Sequence, residues 1–390
     1  MLHRVPRPLS SSFPGVFCAS AASHFSIRKQ RNKIGAWHPF CQSLYWSAGA
    51  SRTPSASVSG IPQVWYPGYP WRDVKTRLRP QFRSQEVGMK SDGRHGWHGI
   101  FTIPQTPFAE DGTLDEEGLR RQIDFCVDTG THGIVYPVMV SEFWLLSDDE
   151  RKRVVDVAVE QVDGRIPMIA GVAGVSTEVA VMFSRHAREA GADGAIALPP
   201  YVLKPGLDGL VDYYRRVAEA MGKPVFIQNF DPPLGSSLSP AVIRELLLDI
   251  PHVKYIKEEM MPPGHSVTAL LETCGDELHG VFTGFGGRWF IDELNRGASG
   301  TMPACEFTDV LVRLYERYRS GDVEDAREIH TRLLPLINIE SLQGVIFCKE
   351  ILKRRGLIAS TCTRAPGRLD RHDLAEIDRL LREVKPLFIQ

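Results

Sequence analysis

The stretch Val253-Lys-Tyr-Ile-Lys-Glu-Glu259 holds the side chain with most chemistry to offer, Lys257. Along an extended strand side chains alternate between faces, so Tyr255, Lys257 and Glu259 share one face and Ile256 and Glu258 take the other. Ile256 is apolar and suits a layer of helices, which sends Lys257 to an interior and Glu258 outward, to a structural part. An interior lysine is rarely tolerated unless it is paired or used. Desolvation disfavours an ammonium, and a neutral amine is a nucleophile toward a carbonyl carbon. The bland alternative is a lysine at the rim of that interior in an ion pair with Glu259, and the pattern by itself leaves both readings open. Other reactive groups collect at the ends of apolar runs: Ser141-Glu142, Gln228-Asn229 and Thr301-Met302-Pro303. No HExxH, GxSxG or Ser/His/Asp arrangement competes for the role. Seven cysteines without CxxC or CxxH spacing exclude a zinc-finger site and a disulfide scaffold, and no metal site is expected.

Groups so far apart in the chain need a frame that gathers run ends at one place. From Gly99 onward short apolar runs alternate with amphipathic stretches. The runs are 99–104, 133–138, 167–172, 194–198, 224–228, 253–259, 279–283 and 297–302. Between them lie helical patterns at 115–128, 148–162, 177–190, 207–221, 240–249, 266–274 and 287–295. Thr113-Leu-Asp-Glu116 and Ser147-Asp-Asp-Glu150 both read as capping boxes. Eight strands, each followed by a helix, predict a (β/α)8 barrel over residues 89–305. A doubly wound open sheet would need a break in the alternation or a Gly-rich first turn, and neither is present. Gly284-Phe-Gly-Gly287 lacks the full phosphate-cradling pattern and comes at the seventh strand, which favours a packing role. Further helical patterns at 308–319, 323–337, 342–354 and 373–384 are too many for one closing helix, so residues 306–390 are expected to form a helical extension. In such barrels catalytic groups sit where the strands end.

The whole chain of 390 residues is nearly neutral, with 46 basic and 47 acidic side chains, which gives no reason to expect nucleic acid as a partner. No apolar window is long enough for a membrane span. Neutrality conceals two unlike parts. Residues 1–88 carry twelve Lys/Arg against Asp73 and Glu86, with 13 Ser and 9 Pro, while the remainder holds 34 basic and 45 acidic groups. An Arg- and Ser-rich, acid-poor leader fits a transit peptide, and with it a mitochondrial matrix location. It also fits sequence upstream of a start at Met89. The second reading is preferred, because four Trp and many Pro make a poor amphipathic helix, and with it a cytoplasmic location is expected.

Several of these motifs occur together in one known family. The opening Thr106-Pro-Phe108, Ser141-Glu142 followed by Leu146-Ser-Asp-Asp-Glu150, Pro199-Pro-Tyr201, Tyr255-Ile-Lys-Glu258 and the Gly297–Pro303 segment resemble the dihydrodipicolinate synthase / N-acetylneuraminate lyase family over roughly residues 99 to 387. The resemblance implies a (β/α)8 barrel with C-terminal helices, a homotetramer or homodimer, no organic cofactor, and Lys257 as the Schiff-base lysine. It also implies departures. The synthases' Thr-Thr pair falls at Met139 and Val140, their proton-relay tyrosine at Gln228, their second tyrosine at Val202, and their substrate-gripping arginine in Pro232-Pro233. A working synthase is therefore not expected. Glu259 becomes the candidate acid and base beside Lys257. Ser141, Glu142, Gln228 and Met302 are the candidate substrate-binding residues. Of these, Ser141 would donate to the substrate carboxylate, Gln228 would hydrogen-bond a hydroxyl or water, and Met302 would shape the pocket. In this family Glu142 more often anchors the loop after the second strand.

A Schiff-base lyase of a small 2-keto-3-deoxy sugar acid is the resulting expectation. Dehydration is preferred over retro-aldol cleavage, because Gln228 is not ionisable and cannot accept the proton of a C4 hydroxyl. The expected substrate is a five-carbon acid such as 2-keto-3-deoxyarabonate. An aldolase releasing pyruvate, a synthase-like condensation and a non-catalytic keto-acid-binding protein are the alternatives.

Overall fold

The computed structural model describes residues 96–230 and 237–389. The leader at 1–88 and Pro232-Pro233 lie outside the described residues. Eight parallel strands form the centre: β1 (Gly99–Thr102), β2 (Gly133–Tyr136), β3 (Met168–Gly171), β4 (Gly194–Ala197), β5 (Val225–Phe230), β6 (Val253–Glu259), β7 (Gly280–Thr283) and β8 (Gly300–Thr301). Each pairs with the next and β8 pairs with β1, so the sheet closes on itself. Helices α1 (Glu116–Asp128), α2 (Asp148–Val162), α3 (Thr177–Ala190), α4 (Leu207–Met221), α5 (Pro240–Asp249), α6 (Pro263–Cys274), α7 (Phe290–Asn295) and α8 (Thr308–Arg319) follow the strands in turn. This is the (β/α)8 barrel, and α9 (Val323–Gln343), α10 (Val345–Arg354) and α11 (Arg371–Val384) extend it. No helix among the described residues is long and apolar enough to cross a membrane.

Strand alternation divides the apolar side chains between two layers. Ile227, Ile256 and Val281 face outward and pack with α3 to α6 through Leu210, Leu246 and Leu270. Phe101, Ile169, Ile196, Phe226, Tyr255 and Phe282 face inward and fill the barrel. Trp97, just ahead of β1, stacks on Phe226 and Tyr255 at 5.8 and 5.1 Å, and its backbone N–H donates to the Tyr255 hydroxyl. The end where the strands begin is thereby plugged with aromatic rings, which leaves the opposite end for chemistry.

Element boundaries differ from the sequence expectation where local chemistry intervenes. β2 stops at Tyr136, ahead of Pro137, which has no N–H for the ladder. β5 runs on to Phe230, beyond the expected end at Gln228, and β8 is reduced to two residues. The box expected at Thr113 is not formed: Asp115 is the N-cap of α1 and accepts from the Gly118 N–H, while Thr113 donates to Asp111. The Ser147–Glu150 box at α2 is complete. Pro335, a residue that disfavours helix interiors, lies inside α9, which continues to Gln343.

Candidate active site

Residues at the end of β6 owe their directions to the register with its neighbours. Gln228 lies opposite Lys257, Phe230 opposite Glu259, and Phe282 on the other side of Lys257. Lys257 follows Tyr255 on the inward face, above the aromatic fill. Lys257 and Glu259 are each 5% exposed, and Lys257 Nζ stands 3.3 Å from Glu259 Oε1. The second carboxylate oxygen accepts from Gln228 Nε2 at 2.8 Å. The amide nitrogen is the donor in this bond, which fixes the end of the Gln228 amide that turns toward the carboxylate. The same amide nitrogen reaches Met139 Sδ at 3.4 Å. Lysine, carboxylate and amide thus form one buried chain across β5 and β6.

Gly284, at the end of β7, completes the setting. A Cβ there would fall 2.1 Å from Glu259 Oε1, so this carboxylate rests against bare backbone. That close approach accounts for the glycine at the start of the 284–287 segment.

The remaining candidates separate into distinct surroundings. Met302 is buried among Phe101, Phe226 and Phe282, and its N–H donates to the Thr283 carbonyl. Ser141 is buried too, but its hydroxyl donates to the Pro104 carbonyl at 2.8 Å and its own carbonyl accepts from Thr106. The proton that would serve a substrate carboxylate is already engaged. Glu142 departs from the substrate-binding role. One of its oxygens accepts from Lys349 Nζ, and the other accepts from Thr363 Oγ1 and the N–H groups of Arg364 and Ala365. Glu142 therefore anchors α10 and the segment after it to the loop beyond β2. It sits in the left-handed region at φ 59°, a conformation this ring of donors holds in place. Burial lowers the pKa of Lys349, and Glu142 opposes that shift.

Glu258 faces outward, accepting from Asn229 Nδ2, Ser266 Oγ and the Met260 N–H, and burial pushes its pKa up to about 7. Asn229 also exchanges bonds with both backbone groups of Leu238. Neither Lys349 nor Gly284 was singled out from sequence as part of the site. Lys349 carried a signal: it shares the apolar face of α10 with Cys348 and Leu352.

Comparison with known proteins finds relatives that cover the whole barrel. The profile described as Dihydrodipicolinate synthetase family matches residues 97–383. L-2-keto-3-deoxyarabonate dehydratase of Azospirillum brasilense is 31% identical over 305 residues, covering 77% of this chain and 98% of its own. The probable 2-dehydro-3-deoxy-D-pentonate aldolase YjhH of Escherichia coli K12 is 32% identical over 248 residues, 63% of this chain and 82% of its own. Among solved structures, YagE of E. coli K12, in complex with pyruvate, superposes with a TM-score of 0.69 at 28% identity, covering 74% of this chain and 99% of its own.

Proposed function

This chain belongs to the dihydrodipicolinate synthetase family, and from that premise we propose that it is a Schiff-base lyase that dehydrates a 2-keto-3-deoxy sugar acid, with a five-carbon acid of the 2-keto-3-deoxyarabonate type as substrate. The observation that carries the reading is the buried Lys257–Glu259 pair, with Gln228 where a proton-relay tyrosine would stand. The 31% identity to the Azospirillum dehydratase supports it, and the pyruvate bound to YagE supports a keto acid as the ligand class.

In the proposed sequence the amine of Lys257 attacks the C2 ketone, and loss of water gives an iminium. The iminium acidifies C3. Glu259 takes the C3 proton, leaving an enamine whose electrons expel the C4 hydroxyl. The same carboxylic acid returns the proton to that hydroxyl, so it departs as water, and hydrolysis frees Lys257. One carboxylate serves both steps, so the ladder needs no second titrating group. Gln228 holds Glu259 in place and hydrogen-bonds the leaving hydroxyl.

Borohydride reduction with a 2-keto acid should leave an adduct on Lys257. Glu259→Gln should lower turnover about 10²–10⁴-fold while trapping persists. Product mass decides the reaction: an intact chain one water lighter supports dehydration. Pyruvate plus a short aldehyde would establish the aldolase reading instead, and absence of any adduct would remove the Schiff-base reading altogether.

A further inference from the structure

Apart from the catalytic pair, three potential ligands from three elements converge. Glu306 in the turn after β8, Glu340 near the end of α9 and Cys348 in α10 each offer one ligating atom, all within 4.8 Å of one another. Glu306 is 1% exposed, and neither of its carboxylate oxygens has a hydrogen-bond partner among the described residues. A carboxylate withdrawn from water without donors is costly, and it is normally compensated by hydrogen bonds, a counter-charge or a proton. Glu142 and Glu258, buried in the same molecule, each have three or more donors. Glu306 has none.

The neighbours are shaped to bring the second carboxylate in. Gly286, at φ +65°, lies against Glu340, and a Cβ there would stand 2.6 Å from Oε2. The thiol of Cys348 makes a long contact, 3.6 Å, to the Gly344 carbonyl and also approaches the Glu306 carboxylate.

We propose that Glu306, Glu340 and Cys348 form a binding site for a borderline-soft divalent cation of the zinc class. Two carboxylates and a thiolate suit such an ion, with Zn–O bonds of about 2.0–2.2 Å and Zn–S of about 2.3 Å. Tetrahedral ligands at those lengths stand about 3.5 Å apart, so the observed spread needs a closure of about 1 Å. Binding releases the Cys348 proton and any carboxylate proton to solvent. The bound ion ties α9 and α10 to the turn after β8, which makes the site a structural one. It is independent of the lyase reading, and its test does not use turnover.

The full chain, freed of metal by chelation, is titrated with Zn²⁺ by calorimetry and with Cd²⁺ by ultraviolet absorption. The expected result is one equivalent bound, a thiolate-to-cadmium charge-transfer band and a raised Tm. Cys348→Ser should abolish the band, and Glu306→Gln should weaken Zn²⁺ binding about tenfold or more. If Glu306→Gln does not fold, Glu340→Gln carries the same expectation. No saturable binding to the unmodified chain would overturn the site in favour of carboxylates that hold protons. So would a cadmium band that survives in Cys348→Ser, since the chain has six other cysteines.

Discussion

At the scale of single residues, the carboxylate of Glu259, proposed as acid and base, is held from three sides: Lys257 on one oxygen, Gln228 on the other, and the backbone of Gly284 against the first. A methyl group at 284 cannot share that space, and β7 cannot retreat without leaving its ladder with β6 and β8. Gly284→Ala should therefore push the Glu259 carboxylate off its two partners. A displacement of about 1 Å at a reacting group can cost on the order of 100-fold. We expect kcat to fall by about that factor while borohydride still traps keto acid on Lys257. Unchanged kcat with an unchanged fold would mean that the position of Glu259 is immaterial to turnover. The expected outcome would mark Gly284 as a positioning residue, separable from Lys257 by the split between trapping and turnover.

At the scale of elements, the loop beyond β2 and the helix α10 are joined by an ion pair, Glu142–Lys349, with both side chains fully buried. Removing one partner of such a pair leaves the other charge uncompensated, at about 3–5 kcal/mol. Lys349→Met should lose stability of that size in chemical denaturation, and a loss below about 1 kcal/mol would contradict the anchoring role. The same pair marks the limit of what the sequence discloses. The alternation of apolar runs located all eight strands, because each is short, buried and bounded by turn residues. The inward face of Lys257 followed from Ile256, since one apolar neighbour fixes the direction of a strand. The partner of Glu142 did not follow, because Lys349 lies 207 positions away and nothing local joins them. Likewise the bond from Gln228 to Glu259 needs the β5–β6 register, which no single strand contains. Asp115 displaced Thr113 as a cap because both carry a suitable oxygen and only the path of the chain chooses between them.

At the scale of the whole molecule, stability should depend on pH through carboxylates buried in the layer between barrel and helices. Burial pushes both Glu258 and Glu293 up to about 7, with the Thr283 side chain opposing the shift at Glu293. An exposed Glu in the unfolded chain titrates near 4.5. Below that value both states bind the proton. Between about 4.5 and 7 the folded state holds a proton that the unfolded state has released, so stability falls as pH rises through this window and levels off above it. Glu293→Gln is permanently neutral and escapes the fall. Its Tm relative to the unmodified protein should rise between pH 5 and pH 8, by an amount equivalent to about 3 kcal/mol at most. A difference that is the same at both pH values would contradict the assignment. The clasp on Glu142 also bears on synthesis. A ribosome completes Lys257 and Glu259 about a hundred residues before Thr363, Arg364 and Ala365 emerge to hold the loop beyond β2. Until then the loop beyond β2 lacks the donors that hold Glu142, so this clasp closes only after all three residues have left the ribosome.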